Sequence, residues 1–238
     1  MKRENQIEVP GTPEQVWEAI ATGHGTETWF VPAEIEGHVG GKVRLDMGTG
    51  MADSGVVTGW EPPHRFAYEE QWEGEVEGKL ATEFLVEAQS GGTCIVRLVS
   101  TVHATGGDWT DMLDNLAAGW SGYLLILKTY LEHFAGQPCR TVMVARFDPG
   151  ADRAAAYAAL IPPWTGEVIH DGAFEQIVHM SEPHPGIGLV MAFEMGGATM
   201  SAAHLYLYGE RAPDLTDEWR EWLNSHTIGS PEETSAPS

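Results

Sequence analysis

Residues 108–134, DWTDMLDNLAAGWSGYLLILKTYLEHF, repeat apolar side chains every three or four positions. Trp109, Leu113, Leu116, Trp120, Leu124, Leu127, Leu131 and Phe134 therefore share one face of a single long helix. At 1.5 Å per residue it would run about 40 Å, enough to cross a sheet. Asp108, Asp111 and Asp114 fall in its first turns, where acids complement the helix dipole, and they read as structural. Ahead of this helix the period drops to two. Val43, Leu45 and Met47 share a face of one strand, Val56 to Trp60 forms the next, and Phe66, Tyr68 and Trp72 point one way from a third. Residues 80–88 and 94–103 make a hairpin through Gln-Ser-Gly-Gly. At the start of the chain, a strand at 6–9 turns through Pro10-Gly11 into a helix. Thr12 is its N-cap, Pro13 lies in its first turn, and Val16, Trp17 and Ile20 form its buried stripe. Gly23-His24-Gly25 is expected to break that helix, with a short second one over 26–30. On this alternation Val57, Ile95 and Val99 lie on the outer sheet face, which would then need a cover.

A second pattern starts after Gly136-Gln-Pro-Cys. It predicts a strand at 141–147, an alanine-rich helix at 151–160, strands near 167–170, 173–180, 187–194 and 199–208, and a helix at 216–224 bearing Trp219, Trp222 and Leu223. The strand-Pro-Gly-helix opening at 8–20 has a faint echo at 147–160. The domains expected are therefore 1–136, a smaller α+β segment over 141–226, and a polar, disordered tail over 227–238.

The 238 residues include 42% hydrophobic positions and nine tryptophans, ample for a packed core. The formal charge is -22, with 35 acidic residues against 13 basic. That balance disfavours nucleic acid and anionic membrane surfaces as partners, and its simplest role is solubility. Cys94 and Cys139 have no metal-knuckle spacing and read as free thiols. The first residues, MKRENQIEVP, contain no apolar leader, and no run approaches membrane-spanning length, so a cytoplasmic location is expected.

Residues 5–135 resemble the START-like (SRPBCC) superfamily, and within it the branch homologous to activators of the heat-shock-protein-90 ATPase. The resemblance is carried by Val-Pro-Gly-Thr-Pro-Glu-Gln-Val-Trp-Glu-Ala-Ile at 9–20, Thr28-Trp29-Phe30, Gly40-Gly41-Lys42-Val43 and the turn from Trp60 to Phe66. Gly92-Thr93 and Gly119-Trp120, followed by Leu-Leu-x-Leu-Lys-x-Tyr-Leu-Glu, complete it. It implies an α+β helix-grip fold: a curved antiparallel sheet around the long C-terminal helix, with a cavity between. The segment from 141 onward lies outside it, and is either a degenerate repeat, covering the sheet or dimerising, or a separate module.

In such a fold the lining would come from Trp29, Phe30, Leu45, Met47, Trp60, Phe66, Tyr68, Trp72, Phe84, Trp109, Leu113, Trp120 and Tyr123, a set suited to an apolar or aromatic small molecule. The plainer reading is that these side chains fill one another's space. Tyr68, Glu70 and His103 are the candidates for proton transfer. Glu70 shares parity with Tyr68 and would act as a base if turned inward, although the solvated rim suits it better. His103 ends a strand, where solvent is its ordinary environment. The gaps between His170, His179, His184 and His204 fit no zinc pattern, and no nucleophile elbow, phosphate loop or dinucleotide fingerprint occurs. No metal or cofactor is expected. Small-molecule binding is the leading reading, a polyketide cyclase or aromatase-like enzyme the next, and chaperone-ATPase activation the third. A homodimer fits the covering idea, and a chaperone partner is not expected.

Overall fold

The computed structural model describes residues 1–48, 52–72, 78–104, 109–195 and 197–226, with the backbone alone at 52, 53, 72, 111 and 195. The expected tail, the Gly106-Gly107 turn and the Trp72 side chain lie outside the described residues. The chain divides into two compact units, Met1–Thr141 with Tyr208–Arg211, and Val142–Leu207 with Ala212–Ser238.

Unit 1 opens with β1 (Lys2–Pro10), then α1 (Pro13–Ala21) and α2 (Gly23–Thr26). Thr12 and Gln15 close a capping box on α1, each side chain serving the other's backbone N–H. The first helix does stop ahead of Gly-His-Gly, at Ala21, but the second helix forms on the glycines themselves, Gly23–Thr26, and not over 26–30. Thr22 caps it, accepting from the Gly25 N–H at 2.9 Å. A Cβ on Gly25 would stand well inside contact with the Glu18 carbonyl oxygen, so glycine is what lets α2 press onto α1. Five strands then meander: β3 (Lys42–Asp46), β4 (Ala52–Glu61), β5 (Arg65–Trp72), β6 (Gly78–Ala88) and β7 (Thr93–Ala104). With β1 and the short β2 (Ala33–Ile35), which the sequence pattern missed, they form a seven-stranded antiparallel sheet ordered β1-β7-β6-β5-β4-β3-β2.

The long helix α3 (Thr110–His133) returns to β1, where Asn5 donates to the Ala117 carbonyl at 2.8 Å and Arg3 pairs with Asp114 at 2.5 Å. On the inner face the register sets side chains in rows. Trp60, Phe66, Phe84 and Leu98 are successive neighbours across β4 to β7, and Val57, Tyr68, Thr82 and Ser100 form the next row.

Val57 and Trp60 both face inward although three residues apart, because the register shifts between Val57 and Gly59. An extra residue in one strand reverses the alternation beyond it. This corrects the expectation that Val57 lies outside: it is 1% exposed, while Val56 is 48% exposed. Ile95 and Val99 do face outward. Val99 pairs in register with Glu4 and Glu83, in a lattice where Arg97 reaches Glu4 and Glu87, and Arg65 reaches Glu83 and Glu61. Both arginine side chains are only partly exposed, so their stems can give apolar cover while part of each head reaches water. Val57→Ala should therefore lower unfolding free energy by about 2 kcal/mol and Val56→Ala by about 0.5 or less, checked by urea titration.

Unit 2 contains most of β8 (Cys139–Pro149), α4 (Arg153–Ala159), β9 (Thr165–Asp171), β10 (Glu175–Glu182), β11 (Gly186–Met195), β12 (Ala198–Tyr208) and α5 (Thr216–Ser225). Its sheet order, β8-β12-β11-β10-β9, repeats the logic of unit 1. The first strand lies beside the last, a helix follows each of these two, and among the described residues there are no counterparts of α2, β2 and β3. Its interior is filled by Val144, Leu160, Val178, Val190, Leu205 and Trp219, with Trp164 stacked on Trp219 at 5.3 Å. Arg146 donates to the Leu223 carbonyl near the C-terminal end of α5 and pairs with Asp148, fixing that short helix.

Candidate functional site

In unit 1, side chains from α1, α2, the sheet and α3 converge on one interior space. Its walls are Ile20, Thr26, Trp29, Phe30, Ile35, Val43, Leu45, Phe66, Tyr68, Phe84 and Trp120. The ring-to-ring geometry is close throughout. Phe30 lies 4.7 Å from Trp120 and 4.7 Å from Tyr123, Phe84 stands 5.9 Å edge-on to Trp120, and Phe66 is 5.6 Å from Tyr68. These offset and edge-to-face arrangements are those aromatic pairs prefer. The space left among them is about 10 Å³, near the smallest volume that holds one water.

Trp29 is fixed by a hydrogen bond of 2.9 Å from its Nε1–H to the Ala19 carbonyl, one of the carbonyls that the end of α1 leaves without a helical donor. Trp120 is also buried, at 6% exposure, but its Nε1–H has no partner among the described residues. Ser100 Oγ, on the row shared with Tyr68 and Thr82, is in the same condition.

The structure thus brings together Trp29, Phe30, Leu45, Phe66, Tyr68, Phe84 and Trp120, with Tyr123 against Phe30. Trp60 stands behind Phe66, 5.7 Å away, and packs on Trp17 at 5.0 Å. Met47 is half-buried just past the end of β3. Trp109 and Leu113 belong to a separate apolar cluster with Leu80, Val102, Met112 and Leu116. His103 is exposed and pairs in register with Lys79. Sequence reasoning did not include Ile20, Thr26, Ile35 and Val43 in the lining. Val43 was recoverable, since it shares strand parity with Leu45, whereas Thr26 arrives only because α2 forms.

A larger cleft of about 530 Å³ opens on unit 1 and includes Glu34, Glu36, Lys42, Arg44, Glu69, Glu70 and Lys79. Glu70 is half-buried here and is not a wall of the aromatic space. The cleft mixes Val43 and Val56 with charges of both signs, Lys79 reaching Glu69 at 3.2 Å, and none of the aromatic rings that line the interior space borders it. Among the described residues no group of three His, Cys, Asp or Glu could hold a metal ion, and no helix is long and apolar enough to cross a membrane.

A single long helix laid against the inner face of an antiparallel sheet, with the last strand beside the first, defines unit 1 as a START-like helix-grip protein. The family model for activator of Hsp90 ATPase homolog 1-like proteins matches residues 10–132, just over half of the chain, and the chain belongs to that family. Comparison with curated protein sequences gives no match. Among solved structures, the chain is similar to DynU16, a protein of the dynemicin biosynthetic locus, at 15% identity and a TM-score of 0.50 over 94% of this chain and 93% of that one. It is similar to the same degree to BexL, a di-domain ARO/CYC from the BE-7585A biosynthetic pathway, at 15% identity and a TM-score of 0.50 over 95% and 93% of the two chains. At such identity the likeness is one of fold, and it runs through both units.

Proposed function

We propose that this protein binds a small apolar or aromatic molecule between the inner sheet face and α3. The observation that carries the reading is the convergence of six rings, from Trp29, Phe30, Phe66, Tyr68, Phe84 and Trp120, on one interior space. A plain core reaches close packing more readily with aliphatic side chains, whereas rigid flat walls are suited to a flat guest. The remaining 10 Å³ holds no ring, so a ligand enters only by displacing side chains. Phe30 and Tyr123 are the pair to move, since Tyr123 is half-buried and in edge contact with Phe30. Binding then draws on a minor open population, and the apparent affinity is weakened by that fraction.

The fold likeness to a di-domain ARO/CYC keeps a cyclase-like reaction as the second reading. Tyr68 is the wall residue with a titratable hydroxyl, and Tyr68→Phe would abolish turnover under that reading while leaving binding nearly intact. The leading reading is tested by thermal melting with one- and two-ring aromatic compounds. A compound held at about 100 times its Kd should add about 2.7 kcal/mol to the stability of the folded state. Absence of stabilisation by any member of such a series would remove the proposal.

A further inference from the structure

Two indoles line the aromatic space, and they differ in one respect. The Trp29 N–H is committed to the Ala19 carbonyl at 2.9 Å. The Trp120 N–H is buried beside Phe30 and Phe84 with no acceptor among the described residues. A buried indole ordinarily finds a partner, and a buried donor left unmade costs more than the net gain of a typical hydrogen bond. Such a group in a native core calls for a physical reason. One row further along the sheet the inner face is polar: Tyr68, Thr82 and Ser100 are consecutive neighbours, and Ser100 Oγ is also buried without a partner. Of that row Tyr68 is a wall of the space, and a cage built for a pure hydrocarbon gains nothing from its hydroxyl or from the Trp120 N–H.

We propose that Trp120 determines specificity in this cage by donating its N–H to an oxygen of the ligand. The ligand class is then a planar ring compound with a carbonyl or similar acceptor on its edge, such as an aromatic ketone, and not the corresponding hydrocarbon. This inference rests on the cage being a binding site. It goes further because apolar burial alone ranks the two ligand types in the opposite order: the hydrocarbon loses less on leaving water. A site that spends a buried donor on its ligand rejects the analogue lacking the acceptor, since the donor is then left unpaired.

The test pairs 1-tetralone with tetralin, two molecules of similar shape that differ by one carbonyl. In the full chain, 1-tetralone should bind at least about tenfold more tightly than tetralin, and Trp120→Phe should reduce that preference to about twofold or less. A wild-type preference for tetralin, equal binding, or a ketone preference that survives in Trp120→Phe would each overturn the inference while leaving the cage as a site. If neither compound binds while another member of the aromatic series does, this inference falls and the cage stands as a site; if no member of the series binds, both fall. Should Trp120→Phe fail to fold, the indole N–H proton resonances of the wild-type protein decide the matter. One of them should move downfield with 1-tetralone and not with tetralin, and no such movement counts against the assignment.

Discussion

Trp29→Ala is expected to lower the unfolding free energy by about 5 kcal/mol, enough to unfold unit 1 in a protein of ordinary stability. Trp29 is 1% exposed, tilted against Phe30 at 5.7 Å and edge-on to Phe84 at 6.3 Å. Truncation removes most of a large buried ring and leaves a cavity the surrounding rings cannot close, worth about 3–5 kcal/mol. It also strips the Ala19 carbonyl of its donor, at about 1–3 kcal/mol. Trp29→Phe keeps most of the ring and should cost about 2 kcal/mol, chiefly through that carbonyl. Trp120→Phe, in contrast, removes a donor that has no acceptor among the described residues, so its loss of volume is partly offset. The ordering to check by urea titration is Trp29→Ala far below Trp29→Phe, with Trp120→Phe the mildest. Equal costs for the two phenylalanine variants would contradict the hydrogen-bond assignment.

The second large effect concerns His204 on β12. It is 4% exposed, and burial alone lowers its pKa from the ordinary 6.5 to about 4. The fold therefore holds the ring neutral through a range in which the unfolded chain takes up a proton. Between about pH 6.5 and 4 the unfolded state binds more protons, so stability falls as the pH is lowered through that window. The loss from this residue totals about 3 kcal/mol, and it levels off below pH 4. Denaturation at pH 7, 6, 5 and 4 should show this slope in the wild-type protein, and His204→Gln should flatten it. Parallel slopes in the two proteins would mean that other groups carry the acid sensitivity.

Much of unit 1 was legible in the sequence because amphipathic period reports burial directly. The α3 stripe and the alternation of β3, β5, β6 and β7 translate into the observed faces. What escaped has identifiable causes. The shift between Val57 and Gly59 has no sequence signature, yet it decides whether Val57 or Val56 is core. Gly23 and Gly25 read as helix breakers because propensity counts against them, but their value lies in how close α2 comes to its neighbours. Trp29, Phe66 and Trp120 were assigned to a common lining, while Trp109 and Leu113, drawn from the same helix face as Trp120, pack at a different place along it. A stripe fixes direction around a helix axis and says little about position along a sheet. The width of the space and the pairing of each indole N–H depend on side-chain packing that no periodicity encodes. His204 was counted with the other histidines of the second segment, since a strand buried along nearly its whole length, as β12 is, offers no alternation to read.

On the proposed function, a ring compound enters between α3 and the sheet of unit 1. Indole N–H resonances followed during titration with 1-tetralone test this most directly, because the nine tryptophans are spread over both units. Changes are expected at Trp29 and Trp120, with Trp164, Trp219 and Trp222 unmoved. Changes confined to the unit 2 tryptophans, or none at saturating ligand, would contradict it.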